Sequence, residues 1–123
     1  MPINRQCRRL HFLHAAILAA AAHPGDELGS YVFHYVDGRQ VELPIVTGKI
    51  LADWWSQPNE SEITATVAWR GSNPAAQRNH NSIRLFKTTW ENPYPDVAIK
   101  KLDFTSDKPT PGQPFLVALT AEP

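Results

Sequence analysis

A single cysteine, Cys7, stands in 123 residues, so no internal disulfide framework can take the place of a hydrophobic core. Excess charge of one sign is also missing. Twelve Lys and Arg balance twelve Asp and Glu, which removes the electrostatic case for nucleic acid or an anionic membrane as partner. No apolar run approaches the length of a membrane-spanning helix. Catalytic signatures are lacking too: there is no GxSxG elbow, and no HxH, HExxH or CxxC spacing. His11 and His14 are three apart, which suits one face of a helix but places them on opposite faces of a strand. A zinc site or a cupin-type metal centre would need a denser ligand set. Asp26 and Glu27 beside Gly25 could offer oxygens to calcium, but a solvated loop accounts for them as well. Cys7 lies among arginines that favour its thiolate, yet it has no placed base and reads as an incidental exposed thiol. Asp53 and Glu91 each adjoin a tryptophan, but their spacing does not make them the converging carboxylates of a glycosidase. The expectation is a protein that is not an enzyme and carries no cofactor and no metal.

What the chain does have is punctuation. Eleven prolines fall almost wholly between apolar runs, the mark of many short strands joined by turns. The clearest unit is a hairpin within Gly29–Trp55, turned at Asp37-Gly38. A two-residue turn would put Tyr31, Phe33 and Tyr35 on a face with Gln40, Glu42 and Pro44. A three-residue loop, Val36-Asp37-Gly38, with Gly38 left-handed, puts them with Val41, Leu43 and Ile45 instead. Each large apolar side chain buried contributes roughly 1.5–3 kcal/mol, so the three-residue loop is expected. Pro44 on the polar face then suggests an edge strand.

Residues 1–25 allow two readings. Arg5, Arg8 and Arg9 followed by LHFLHAAILAAAA resemble a signal peptide ending at Ala20-Ala21-Ala22. The competing reading is a strand over about Arg8–His14 followed by an alanine-rich connection. Further on, Ile63, Ala65, Val67 and Trp69 alternate along a strand over Glu62–Arg70. Residues 71–81 read as a long polar surface loop. Ser82–Trp90 is a strand with apolar residues on both faces, and Asn92-Pro93-Tyr94-Pro95 is a stiff turn. Val97 and Ile99 keep one phase, Leu102 and Phe104 the other, so a β-bulge is expected at Lys100-Lys101. Phe115–Thr120 is nearly all apolar, as a central strand packed on both faces would be. About seven strands without a strong amphipathic helix predict one all-β domain over residues 1–123, an antiparallel sandwich.

Several blocks, LHFLHAA, GSYVFHYVDGRQVELPIVTGKILADWW, VAWRGSNPAA, IRLFKTTWENPYPDVAIKKLDF and PFLVALT, resemble the C-terminal part of a galactose-binding-like β-sandwich module. The YVDG, DWW and TTWENP blocks are the specific parts. The resemblance implies a jelly-roll-like, non-catalytic module of the kind appended to large bacterial multidomain proteins, often extracytoplasmic ones, with carbohydrate binding as the family-level function. Fuller modules have strands before LHFLHAA, which implies a sandwich incomplete at its N-terminal end.

Four tryptophans bear on that function, because an indole face can stack on a sugar ring. Trp69 and Trp90, at strand ends, are expected in the core. Of the adjacent Trp54 and Trp55, one is expected to be packed and the other at the rim. Aromatic and amide residues at loops and strand ends, where sandwiches carry function, give a candidate glycan site of Trp55, Arg70, Asn73, His80 and Tyr94. The alternative is a structural or protein-interaction domain whose sheet packs against a neighbouring domain or a second subunit.

Overall fold

The computed structural model describes residues 1–17, 27–47, 49–51, 54, 65–78, 83–105 and 113–123. These form two antiparallel four-stranded sheets packed face to face. Sheet I has the order β1-β7-β3-β4, with β1 Pro2–Arg5, β7 Ile99–Thr105, β3 Glu27–Tyr35 and β4 Gln40–Val46. Sheet II has the order β5-β6-β2-β8, with β5 Thr66–Gly71, β6 Ile83–Glu91, β2 Arg9–Ile17 and β8 Gln113–Glu122. The all-β antiparallel sandwich expected from the turn and alternation pattern is therefore present, with eight described strands instead of about seven. The additional strand is β1. Arg9–Ile17 forms a strand inside sheet II between β6 and β8. Ala20-Ala21-Ala22 lies outside the described residues.

The hairpin follows the three-residue loop. Phe33 pairs with Val41 and Tyr31 with Leu43. The Tyr35 amide donates to the Arg39 carbonyl at 2.9 Å, and Gly38 takes φ 91°, a conformation that costs a residue with a Cβ more than it costs glycine. Tyr31, Phe33 and Tyr35 are buried, while Val32 and His34 between them are half-buried on the other face. Pro44 sits on β4, an edge of sheet I. The expected bulge on β7 is there as well: His34 pairs with Lys101 and Tyr35 with Ile99. Lys100 is thus left unpaired, and both Ile99 and Leu102 turn inward.

The core is the seam between β2 and β6 of sheet II and β3 of sheet I. Phe12 approaches Tyr31 at 4.7 Å between ring centroids, and Phe33 stacks on Trp90 at 3.8 Å and 7°. Trp90 is a core residue as expected. Two polar clusters cross this apolar layer. Asn92, buried, accepts from the Tyr35 hydroxyl and the Tyr94 amide and donates to the Cys7 carbonyl at 2.7 Å. It thereby ties the chain before β2 to the end of β3 and to the turn after β6.

The second cluster surrounds His14, which is completely buried. The Thr88 hydroxyl donates to the Ile50 carbonyl at 2.9 Å, so its oxygen accepts from His14 Nε2 at 2.8 Å. That leaves His14 Nδ1 to accept from the Tyr31 hydroxyl at 2.8 Å. Every polar atom in this chain has its partner while the imidazole is neutral. Burial pushes the His14 pKa down to about 4 and that of the Tyr31 phenol upward.

Two expectations are corrected here. Cys7 is buried at 2% exposure, not an exposed thiol. Burial raises its pKa, outweighing the lowering from Asn92 and Arg5. Phe115–Thr120 belongs to β8, an edge of sheet II and not a central strand. The central place beside it is taken by β2, whose Leu10 and Phe12 fill the core opposite Ala121 and Leu119.

Candidate binding face

The five residues singled out from the sequence do not converge. Trp55 and His80 lie outside the described residues. Arg70 is exposed near the end of β5, where it pairs with Arg84 of β6. Asn73 precedes the short helix α1, Pro74–Arg78, and its carbonyl accepts from the Gln77 amide at 3.0 Å. Asparagine before a proline at the first helical position is a common helix start, so Asn73 has a local structural role. Tyr94 follows the far end of β6 and packs edge-on against Tyr35 at 5.4 Å, under the Arg39 guanidinium at 4.5 Å. The length of β6 holds Tyr94 about 30 Å from Arg70 and Asn73.

The outer face of sheet II has a different set of side chains, and Trp69 is the residue the sequence reading misplaced. Val67 pairs with Phe86 and Trp69 with Leu85, so Ala68 is the extra residue of a bulge. One inserted residue exchanges the two faces of everything beyond it. Val67 packs on the core, whereas Trp69 is 50% exposed on the outside. The benzo end of its indole rests over Gly71, where any Cβ would collide with the ring. Glycine at 71 is what lets the indole lie close to the sheet surface.

Along the same face, toward the other end of β6, runs a polar row. The Arg9 guanidinium meets Glu91 at 2.6 Å and Glu122 at 3.2 Å. His11 Nε2 lies 3.1 Å from Glu122 and Nδ1 lies 3.0 Å from the Thr89 hydroxyl. A carboxylate only accepts, so His11 donates from Nε2 to Glu122, while its Nδ1 pairs with the Thr89 hydroxyl. His11, followed by Arg9, holds the Glu122 carboxyl below the usual carboxylate range. Glu91 and then Glu122 raise the Arg9 guanidinium further. Between the row and Trp69 stand Lys87 and Thr66, a cross-strand pair, both exposed. His11 and His14 thus fall on opposite faces of β2, as a strand requires, one in this row and one in the core.

The face offers an apolar ring and a set of oriented acceptors and donors, carried by the four adjacent strands of sheet II. Among the described residues, no three His, Cys, Asp or Glu side chains converge to hold a metal ion. Trp54, half-buried, meets Phe115 edge-on at 6.2 Å and packs against the core. No protein-family model, curated protein or solved structure matches the chain.

Proposed function

We propose that the protein is a non-catalytic carbohydrate-binding module that holds a glycan on the outer face of sheet II. The observation that carries this reading is Trp69, half exposed on a sheet surface and seated over a glycine. Leaving a large apolar side chain outside forgoes stabilisation on the order of 1.5–3 kcal/mol. A contact made with the exposed ring recovers part of it. The apolar face of a pyranose stacks on the indole, and the hydroxyls of neighbouring sugars reach Lys87, Glu91 and the Arg9–Glu122–His11 row. The likeness of the sequence blocks to galactose-binding-like modules supports the same functional class. The contacts differ from those chosen on the sequence: the site moves from loops and strand ends to the sheet face.

The test is calorimetric titration with a panel of neutral, amino and acidic oligosaccharides, run on the native protein, Trp69→Ala and Gly71→Ala. A saccharide bound by the native chain should lose at least tenfold in affinity in both variants, which corresponds to about 1.4 kcal/mol. Their urea midpoints should stay close to that of the native chain, since neither residue is part of the core. No binding of any saccharide at millimolar concentration, or equal binding by Trp69→Ala, overturns the proposal. A protein-interaction role draws on the outer edge of β8, which no other described strand pairs.

A further inference from the structure

The strand β8 has the composition of a central strand and the position of an edge strand. Residues Phe115–Ala121 contain neither a charged residue nor a proline, yet among the described residues β8 pairs only with β2. β8 has Pro114 and Glu122 near its two ends and a register shift against β2 between Leu116 and Ala118, but Leu119–Ala121 is free of the proline, charge and bulge that limit strand addition at the other edges. The edge strand β1 has Pro2, a left-handed Asn4 at φ 53° and exposed Arg5. On β4 there are Pro44 and exposed Glu42, and β5 has its bulge and exposed Arg70.

The free edge is also aligned for pairing. The Arg8 amide donates to the Glu122 carbonyl at 2.8 Å, so the backbone groups of Glu122 face β2. Antiparallel alternation then turns the N–H and C=O groups of Leu119 and Ala121 outward, to the unpaired edge. The side chains of these two residues point into the sandwich opposite Phe12 and Leu10, but are only half-buried. Two depressions of about 290 and 240 Å³ open along this seam between β8 and sheet I and share Met1. Phe104 and Leu116 line one, Ile3, Leu119 and Ala121 the other. Val117, beside them, is 53% exposed, and Phe104 is 44% exposed.

We propose that β8 is a self-association edge, at which two copies of this chain pair β8 to β8 antiparallel about a twofold axis. The occupant is a second copy because the strand complements itself. With Leu119 opposite the partner's Ala121, both copies engage their outward backbone groups. Thr120 then faces the partner's Thr120, a favourable cross-strand pair. Glu122 falls opposite the partner's Ala118, so no like charges meet. Such a contact is isologous and closes at two copies. It joins the two copies of sheet II into one sheet and removes both unguarded edges. This inference is independent of the carbohydrate proposal.

The experiment measures the mass of the full chain by sedimentation velocity and light scattering, from micromolar to millimolar concentration, alongside amide hydrogen exchange. The native chain should pass from monomer to dimer, with the Leu119 and Ala121 amides gaining protection as it does. Thr120→Lys and Thr120→Glu each place like charges opposite one another at the twofold axis and should be monomeric. An equimolar mixture of the two should form a heterodimer. Ala121→Pro removes an outward N–H while leaving the ladder to β2 intact, and should also be monomeric. A native urea midpoint in each monomeric variant shows that the sandwich itself is retained. A native chain that stays monomeric at millimolar concentration overturns the proposal. So does dimerisation of the charge variants as tight as that of the native chain, or protection that grows elsewhere while Leu119 and Ala121 stay open.

Discussion

Acid should destabilise this fold in large part through His14. The imidazole is completely buried between the sheets, accepting from the Tyr31 hydroxyl and donating to Thr88, both at 2.8 Å. Its partners on β3 and β6 are the neutral hydroxyls of Tyr31 and Thr88, and the Ile50 carbonyl that Thr88 engages carries no charge. Protonation would force Nδ1 to donate toward the proton of Tyr31 and would place an uncompensated charge in the core. The pKa of His14 accordingly falls from an ordinary 6.5 to about 4. The folded pKa lies below the unfolded one, so between these two values the unfolded chain binds more protons than the folded chain. Stability is then fully present above pH 6.5 and declines as pH falls toward 4. At 1.36 kcal/mol per pKa unit the loss attributable to His14 is about 3 kcal/mol, a large part of the 5–15 kcal/mol typical of a domain.

The assay is urea denaturation of the native chain and His14→Gln at a series of pH values. Glutamine keeps a donor for Thr88 and cannot titrate. At pH 7.5 the variant should be the less stable by about 1–3 kcal/mol, because Tyr31 loses its acceptor. On acidification the native chain should lose about 3 kcal/mol more than the variant, which narrows or reverses the difference. Proton NMR of the His14 ring in the folded protein should show it neutral at pH 6. Parallel pH dependences of the two proteins, or a His14 ring titrating near 6.5 in the folded state, would refute the reasoning.

Two stability predictions concern the hairpin. Phe33→Ala should cost about 3–5 kcal/mol by urea denaturation, since the ring is fully buried and stacked on Trp90, the range for emptying a buried aromatic site. Gly38→Ala should cost about 1–2 kcal/mol, the penalty for a Cβ in the left-handed region. Nothing lies within 4 Å of a Cβ built there, so a much larger loss would point to a contact absent from this structure.

The register of the hairpin and the bulge at Lys100 were legible because apolar and polar residues change places visibly. In β7 the inward residues are Ile99 and then Leu102, and the three-residue step between them betrays an inserted residue. The bulge at Ala68 left no such mark. Ala65, Val67 and Trp69 continue an unbroken alternation across it, although Trp69 has crossed to the outside. Periodicity is scored by taking apolar residues as inward, so an aromatic placed outward is scored as core. The polar row failed to show for another reason. Arg9, His11, Thr89, Glu91 and Glu122 are far apart in the chain and meet only when β6, β2 and β8 lie side by side.

The reading of β8 failed differently. Both faces of Phe115–Ala121 are apolar, and that composition ordinarily means neighbours on each side of the strand and cover on each face. Among the described residues of the single chain, β2 is the one neighbour of β8. On the proposed pairing the second copy supplies the missing neighbour, and β8 becomes an interior strand of a joined sheet. The pairing supplies the second neighbour, while the outer face of the strand, with Ala118 and Thr120 exposed, stays open. A chain that proved monomeric would leave the uncharged stretch Leu119–Ala121 and half-exposed Val117 on an edge guarded only by Pro114, Glu122 and the bulge at Val117. Such a chain should aggregate through β8, and Thr120→Lys should then raise its solubility without changing its mass. Mass and solubility of the native chain and Thr120→Lys, read side by side, separate a closed pair of strands from an unguarded edge.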